Sequence, residues 1–358
     1  MADGWKELAT RLGVEHPLIL APMAGGPSTP ALAAAVSNAG GLGSLGAAYL
    51  TPEQIRDEIA AVRRLTDRPF AVNLFAGGAT EGAADVEPML ELLGRWHRQL
   101  GIAPPAPPAA PGDRFREQLD AVLEAAPPVF SFAFAIPAAL AIRALKDRGI
   151  VVMGTATTVA EAVALEAAGV DAVVAQGSEA GGHRSTFLSP FEQAMVGTMA
   201  LVPQVVDAVR VPVVASGCIM DGRGMVAARA LGASGVQMGT AFLATDEAGT
   251  SAPYRARLLA TTEDGTAVTR AYSGRPARGI RTRFMADVED GRVPVPPFPL
   301  QNSMTRPLRT AAAQQGESNA LSLWAGQALR LLRTGGAGTL ARDVIAHAER
   351  IRRELAGG

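Results

Sequence analysis

Short apolar runs alternate with longer segments of helical periodicity over residues 1–245 of the chain. Most of these runs are continuously apolar instead of alternating, which is typical of strands buried on both faces of a parallel sheet. We predict eight strands of this kind: Leu18–Met23, Gly41–Leu45, Phe70–Phe75, Val129–Phe134, Val151–Thr155, Ala172–Gln176, Val213–Ser216 and Gly235–Gly239.

Helix start and stop residues stand between the runs. Thr29-Pro30 and Thr51-Pro52 each place a capping residue before a proline at the first helical position, and Gln54 stands at the capping-box position. Glycines end the predicted helices, which run from Thr29 to Gly40, from Thr51 onward, over Thr158–Ala168 and over Asp221–Leu231. Eight alternating strand–helix units predict an α/β fold, the (β/α)8 TIM barrel.

Two stretches break this rhythm. The proline-rich segment Ile102–Gly112 predicts an extended connector, since proline excludes a helix there. After residue 245 the alternation stops, and we predict irregular structure over residues 251–310, with its clustered prolines, followed by helices at Asn319–Leu332 and Arg342–Leu355. The predicted organisation is a barrel at residues 1–245 and a smaller cap region at residues 246–358 over the barrel mouth.

Composition and charge exclude several classes of function. Net charge is −1, so no strong field favours nucleic acid or an anionic membrane, and no apolar stretch predicts a membrane span. The single cysteine, Cys218, excludes an intramolecular disulfide, and the four histidines lack metal-ligand spacing, so no metal site is expected. The amino terminus has no secretory pattern, which favours a cytoplasmic protein.

Ligands bind at the carboxyl ends of the strands in a barrel of this kind. The first strand runs into Ala21-Pro22-Met23-Ala24, whose small residues allow a flat ring to approach the backbone. Asn73 lies near the end of the third strand, and its amide offers both a donor and an acceptor to a heterocycle. A simple turn and a buried structural amide are the alternative interpretations of these two features.

The sixth strand leads into Gln176-Gly-Ser-Glu-Ala-Gly-Gly-His183. Paired glycines, Gly181 and Gly182, present the imidazole on a loop just beyond a barrel strand. Histidine is the side chain best suited to proton transfer near neutral pH. We therefore predict that His183 is catalytic, with a structural histidine as the alternative.

Glycines follow the seventh and eighth strands, in Ser216-Gly217 and in Gln237-Met238-Gly239-Thr240. Backbone N–H groups at these turns, beside helix amino termini, form the phosphate site common in such barrels. The only lysines, Lys6 and Lys146, lie away from the strand ends, which argues against a Schiff-base aldolase. A phosphate anchor, ring-binding amides and one histidine fit flavin mononucleotide (FMN), which would supply the reactivity itself.

The motifs resemble the nitronate monooxygenases, formerly called 2-nitropropane dioxygenases, over nearly the whole chain. The Glu-Ala-Gly-Gly-His stretch ending at His183 is shared with near relatives. The carboxyl-terminal motifs are similar to the nitronate monooxygenase branch in particular. The motifs are Ala21 to Pro30, Asn38 to Gly43, Gln176 to His183, Asp221 to Gly224, Gly235 to Thr240, Pro299 to Asn302 and Ser322 to Gln327.

This resemblance implies an FMN enzyme that oxidises alkyl nitronates, such as propionate 3-nitronate, with O2 by one-electron transfer through a flavin semiquinone, and so detoxifies them. It implies a catalytic His183 that orients the nitronate or deprotonates a neutral nitroalkane. No nucleic acid or membrane partner is expected, and a homodimer is one open assembly. The residues predicted to contact FMN are Ala21, Pro22, Met23, Ala24, Asn73, Gln176, Gly181, Gly182, Ser216, Gly217, Gln237, Met238, Gly239 and Thr240.

Two positions depart from the family pattern, Ser185 and Cys218, where the family often has glycine. The first is expected to alter the substrate loop and the second to restrict the phosphate turn. Three other functions stay open: a flavin-dependent NADH enoyl-acyl-carrier-protein reductase, an NADH:quinone reductase, and a non-catalytic barrel that binds a phosphorylated ligand. The Trp324 segment and the long post-barrel region favour the monooxygenase.

Overall fold

A computed structural model of the protein describes residues 4–77, 85–107 and 114–357. Its secondary structure follows the predicted alternation of strands and helices through the first two thirds of the chain. The strands are β1 (Leu18–Leu20), β2 (Gly43–Gly46), β3 (Phe70–Phe75), β4 (Val129–Ala133), β5 (Val151–Ala156), β6 (Ala172–Gln176), β7 (Gly182–His183), β8 (Val213–Ser216), β9 (Gly235–Met238), β10 (Thr266–Thr269) and β11 (Ala277–Ile280).

Eight of these strands form one parallel sheet in the order β1-β9-β8-β6-β5-β4-β3-β2. A parallel bridge between Ile19 and Leu42 joins its two ends, so the sheet closes on itself. The predicted (β/α)8 barrel is therefore confirmed. The strand limits differ slightly: β1 stops at Leu20, and β2 starts at Gly43, because the ladder to β3 begins there.

Helices surround the barrel and continue beyond it. Alanine, leucine and valine from both layers fill the main core, as expected for a chain with only 5% aromatic residues. The helices are α1 (Gly4–Leu12), α2 (Pro30–Asn38), α3 (Pro52–Leu65), α4 (Glu87–Gln99), α5 (Phe115–Ala125), α6 (Ala139–Asp147), α7 (Val159–Ala167), α8 (Thr198–Ala208), α9 (Gly222–Ala230), α10 (Ala252–Ala260), α11 (Arg283–Asp290), α12 (Leu300–Gln315) and α13 (Ala337–Leu355).

The predicted helix starts are confirmed by capping hydrogen bonds. Thr29, Thr158 and Asp221 each accept a backbone N–H from the first turn of α2, α7 and α9, respectively. Thr51 and Gln54 form the complete capping box of α3. Each cap satisfies a donor that the helix itself leaves unpaired, which sets where these helices begin.

The amino-terminal end of the barrel is closed by α1. Its residues Leu8 and Leu12 pack on Ile19, Val174 and Val214 in a separate buried cluster inside the strands. One end of the barrel is thus sealed with apolar side chains, which leaves the carboxyl ends of the strands as the open face.

The prediction of irregular structure over residues 251–310 is wrong. This region contains α10, β10, β11, α11 and the start of α12. Three of its seven prolines lie at the starts of helices or inside one, namely Pro253, Pro299 and Pro307, and the other four lie in the segments between elements. Proline in the middle of α12 hid the helical pattern, since it normally breaks a helix. The helix predicted at Asn319–Leu332 is also wrong, because only two short 3-10 turns form there, at Ser318–Ala320 and Leu329–Leu331.

The last helix, α13, returns to the barrel. Its apolar face, including Leu340, Val344 and Ile345, packs in the main core. Gly222 of α9 lies so close to α13 that a Cβ there would be 2.3 Å from the backbone nitrogen of Ala348. The domain boundary at residue 245 stays a prediction.

Residues 102–107 of the predicted connector form neither helix nor strand, and residues 108–112 lie outside the described residues. No helix in the described part of the chain is long and apolar enough to cross a membrane.

The contact between α2 and β2 generates a stability prediction. A Cβ on Gly43 would lie 2.0 Å from the carbonyl oxygen of Ala33, so Gly43→Ala must push a helix off the barrel. We expect a loss of about 3 kcal/mol in the free energy of unfolding. Urea unfolding followed by circular dichroism measures it.

The matched control is Gly94→Ala in α4, where the new Cβ meets only the Arg98 side chain at 3.7 Å. This variant should gain up to about 1 kcal/mol, because alanine favours a helix over glycine. Equal stabilities for the two variants would contradict the packing described for Gly43.

Candidate functional site

A cavity of about 800 Å³ opens at the carboxyl ends of the strands, and its wall contains residues of seven barrel strands together with the segment that directly follows β1. This size lies in the range of pockets that hold ligands of cofactor size. The predicted site residues that line it are Ala21, Pro22, Met23, Ala24, Asn73, Gln176, Gly181, Gly182, His183, Ser216, Gly217, Gln237, Gly239 and Thr240. Met238 is the exception, since its side chain is 1% exposed and packs in the barrel core.

A strand pairing that was not predicted from the sequence holds His183 in place. The two residues of β7 pair antiparallel with β11, so that His183 faces Ala277 and Gly182 faces Arg278. The strand β11 in turn pairs with β10. A loop of the barrel thus becomes the edge of a small sheet built by the post-barrel region.

The two glycines before His183 serve different purposes. Gly182 has φ of +77°, a left-handed conformation that other residues rarely adopt. Gly181 allows a close approach, since a Cβ there would lie 2.5 Å from the backbone of Ala325 and Gly326. The segment after Trp324 therefore packs directly on the histidine loop.

The buried side chain of Arg184 binds the backbone on both sides of the same loop. The Arg184 guanidinium is 1% exposed and donates to the carbonyl oxygens of Gln176 (2.9 Å), Gly177 (2.6 Å) and Ala194 (2.7 Å). Burial lowers its pKa to about 10, which still leaves it charged at neutral pH. Charge-assisted hydrogen bonds to carbonyls are among the stronger ones in proteins, so they fix the backbone before and after the loop.

The Glu161 carboxylate holds the far side of the loop. It is fully buried and accepts hydrogen bonds from the backbone N–H groups of Phe187 and Leu188 and from Thr157. The Thr157 hydroxyl also lies 2.7 Å from that of Thr186. The loop that carries His183 is thus fastened at both ends to the barrel.

The hydrogen bonds of His183 define its tautomer. Nε2 lies 2.9 Å from the Ser273 hydroxyl, which itself donates to the carbonyl oxygen of Arg275 at 3.0 Å. The Ser273 hydroxyl donates its own proton to the Arg275 carbonyl oxygen, so it can only accept a hydrogen bond from the imidazole. Nε2 of His183 therefore carries the ring proton. Nδ1 is then the basic nitrogen, and it forms no hydrogen bond with another described residue.

The surroundings of His183 oppose its protonation. Burial lowers the pKa of the imidazole to about 3, and the positive charges of Arg275 and Arg309 contribute. Both causes disfavour the imidazolium form, because a cation loses hydration on burial and is repelled by like charge. An anion placed beside the ring would reverse this balance.

Aromatic rings enclose the imidazole. Their centroids lie 5.4 to 6.2 Å from that of His183 and belong to Trp324, Phe134, Phe298 and Phe75. Phe134 has φ of +83°, a strained conformation for an aromatic residue, and the Arg275 guanidinium lies 3.9 Å from its ring centroid. Backbone strain of this kind persists only where the surrounding structure holds the residue in place, and it is frequent at functional sites.

The side-chain amides of Asn73 and Gln176, both predicted to contact a ring, differ in which of their hydrogen-bonding atoms remain without a partner. Asn73 donates to Ser131 at 2.9 Å, and its carbonyl oxygen has no partner among the described residues. Gln176 donates to the His183 carbonyl at 3.0 Å and accepts from the Ser185 N–H at 3.0 Å. Gln176 therefore organises the loop, and Ser185 joins that network through its backbone, as glycine also would.

The turns after β8 and β9 leave backbone donors free. The N–H groups of Gly217, Cys218 and Thr240 donate no backbone hydrogen bond within the described part of the chain. Cys218 has φ of +53°, so a cysteine occupies a left-handed position that favours glycine. Its thiol donates to the Glu179 carbonyl and accepts from the Gln327 N–H, at 3.1 and 3.0 Å, which holds it in place.

These features suit a flat, phosphorylated ligand. Gly46 admits no side chain, since a Cβ would lie 2.4 Å from the backbone nitrogen of Ala24, so the wall beside Ala21–Ala24 is bare backbone. Free N–H groups at the β8 and β9 turns provide the anion donors. The free Asn73 carbonyl oxygen provides an acceptor for a ring N–H.

Sequence reasoning missed a further wall of the cavity. One face of α12 lines it, with Asn302, Arg306, Arg309, Thr310 and Ala313 at helical spacing, and Tyr49 lies beside them. The same periodicity is present in the sequence, but Pro307 interrupts it. Trp324, which the sequence placed only in a family motif, lies against the His183 ring, with 5.4 Å between the ring centroids.

Comparisons with known proteins agree along the whole chain. The model of the family described as "Nitronate monooxygenase" matches residues 6–346. A probable nitronate monooxygenase of Staphylococcus aureus is 44% identical over 340 residues, covering 94% of this chain and 96% of that protein. One of Staphylococcus saprophyticus is 44% identical over 352 residues, covering 96% and 99%.

Solved structures give the same picture. The nitroalkane oxidase from Streptomyces ansochromogenes superposes with a TM-score of 0.91 at 41% identity, covering 97% of this chain and 99% of that one. FabK from Thermotoga maritima superposes with a TM-score of 0.79 at 30% identity, covering 98% of both.

The tautomer and pKa of His183 generate a prediction. In protein labelled with 15N at histidine, NMR should show the His183 ring neutral, with its proton on Nε2, from pH 8 down to pH 5. Burial and the two arginines lower its pKa to about 3, so protonation begins only in more acidic solution. His183→Asn identifies the resonance, and a midpoint near pH 6.5 would contradict the environment described.

Proposed function

The chain belongs to the nitronate monooxygenase family, and on that premise we propose that it oxidises alkyl nitronates such as propionate 3-nitronate with O2, using FMN. The observation that carries this proposal is the setting of His183, a neutral imidazole enclosed by aromatic rings, with Arg275 and Arg309 near enough to act on its pKa. A nitronate is an anion with an apolar chain, and this cavity offers both positive charge and apolar contact.

FMN fits the residues that line the wall. The N–H groups of Gly217, Cys218 and Thr240 would hold its phosphate, and the backbone of Ala21–Ala24 would lie against its ring system. Asn73 would accept a hydrogen bond from a ring N–H. When bound, FMN would supply the one-electron redox chemistry between the substrate and O2.

The protein's own contribution is to bind and orient the nitronate. A neutral His183 does not compete with the arginines for the substrate charge, and its Nδ1 is the nitrogen able to accept a proton. Where a neutral nitroalkane binds, the anion formed beside the ring would stabilise the imidazolium and raise its pKa. His183 would then act as the base that removes the α-proton.

The aromatic enclosure would exclude water from the reacting carbon. Phe75, Phe134 and Trp324 surround the imidazole with apolar surface, and a site of low dielectric strengthens each remaining electrostatic contact. The Arg275 guanidinium lies over the Phe134 ring, 3.9 Å from its centroid, and packs against this apolar surface.

We predict that His183→Asn lowers kcat/KM for propionate 3-nitronate by about 100-fold or more, because an oriented imidazole contributes on the order of 10² to 10⁴. Oxygen uptake in an electrode measures it. The visible spectrum should still show bound FMN, since asparagine retains the backbone pairing of β7 with β11.

The control variant is His347→Asn, on α13 and outside the cavity wall, which should keep the activity of the parent protein. Colourless purified protein would count against FMN. Oxidation of NADH in the presence of an enoyl thioester, without oxygen uptake on a nitronate, would favour the reductase alternative instead.

A further inference from the structure

Two charges of opposite sign lie behind the turn proposed for the FMN phosphate. Burial raises the pKa of the Cys218 thiol in that turn, and of the two charges that act on it, Glu179 raises this pKa further and Arg278 lowers it. Neither charged side chain lines the cavity, so both act from behind the backbone of the turn. A phosphate held by the free N–H groups of Gly217 and Cys218 would lie in the field of both charges.

Glu179 occupies the amino terminus of α8. Its carboxylate accepts the Thr198 N–H at 2.9 and 3.0 Å and the Thr198 hydroxyl at 2.9 Å. That hydroxyl also lies 3.3 Å from the carbonyl oxygen of Gly217, so a single threonine side chain separates the carboxylate from the turn. The positive end of the α8 dipole is thus already neutralised by Glu179 and is not available to a phosphate.

The helix that begins directly after the turn is capped in the same way. Asp221 accepts the Arg223 N–H at the start of α9, and its carboxylate also pairs with the exposed Arg223 guanidinium at 2.5 Å. Carboxylates therefore occupy the amino termini of both helices beside the turn. Neither helix dipole offers a phosphate its full attraction.

Arg278 supplies the opposing charge from β11. Its side chain is 8% exposed, and the guanidinium donates from Nε to the Ser178 carbonyl oxygen at 3.0 Å and from Nη1 to the Thr266 hydroxyl at 3.3 Å. Within the described part of the chain it forms no salt bridge, and Nη2 forms no hydrogen bond. A buried cation without a carboxylate partner favours an anion nearby, because the anion offsets the lost hydration.

We infer that the charge of Arg278 gives the site its preference for a phosphorylated flavin and that the charge of Glu179 limits this preference. Riboflavin has the same ring system as FMN without the phosphate, so neither charge should affect its binding. Removal of the positive charge should weaken the binding of FMN alone, and removal of the negative charge should strengthen it alone. This inference rests on the proposed function, since it concerns the FMN that the proposed reaction uses.

The experiment titrates flavin-free protein with FMN and with riboflavin and follows the quenching of flavin fluorescence. The Kd of riboflavin divided by the Kd of FMN isolates the contribution of the phosphate. In Arg278→Met this ratio should fall at least about tenfold, since charges interact strongly where little water separates them. In Glu179→Gln it should rise about threefold or more, because glutamine removes the charge and keeps an oxygen for the Thr198 N–H.

The matched control for the arginine is Arg281→Met, which removes a positive charge from an exposed position directly after β11. Glu349→Gln, at an exposed position on α13, is the control for the carboxylate. Both controls should keep the ratio of the parent protein. Arg278→Lys separates charge from hydrogen bonding, since lysine retains the charge without the planar guanidinium, and it should keep most of the ratio.

The outcomes distinguish this inference from the proposed function. A parent protein that binds neither flavin overturns both. A parent protein that binds FMN, with the same ratio in Arg278→Met and Glu179→Gln as in the controls, overturns the inference alone. Equal weakening of both flavins in Arg278→Met would assign Arg278 to the support of the loop at Ser178, which also overturns the inference. If Arg278→Met does not fold, Glu179→Gln tests the same field with the opposite sign.

Discussion

The pairing of β7 with β11 is the interaction on which the site depends. It joins the loop after the sixth barrel strand to a sheet made by the post-barrel region, with His183 opposite Ala277. Without this pairing, the conformational freedom of a glycine-rich loop would allow the imidazole to take many positions. Arg184 and Glu161 then fasten the flanking backbone, so the histidine is fixed from three directions.

A second constraint is the balance of charge around that histidine. Arg275 and Arg309 lie close enough to lower its pKa, and aromatic rings surround it. The substrate-free site therefore holds positive charge on arginine and keeps the imidazole neutral. Such a site favours an anion for two reasons. An anion would pair with the arginine charge, and it would raise the lowered pKa of His183. In the proposed reaction, electrostatics would link the binding of an anion to proton transfer in this way.

The barrel, and which residues lie around its open end, could be predicted from the sequence for a physical reason. Strands buried on both faces must be apolar, helices need caps, and turns with positive φ need glycine. Each of these requirements produces a recognisable pattern over a few neighbouring residues of the sequence. Thr51 and Gln54 are an example, as is Gly182. Met238 shows the limit of this reasoning, since alternation along β9 placed its side chain in the core while Gln237 faces the cavity.

The sequence by itself determined the order of strands and helices, the open end of the barrel and the identity of His183 as the residue to examine. Tertiary structure decided what that residue meets. The pairing partner Ala277, the rings of Phe134 and Trp324 and the arginines of α12 come from segments far apart in the chain. No local pattern records such contacts, because they exist only after the post-barrel region has folded onto the mouth of the barrel.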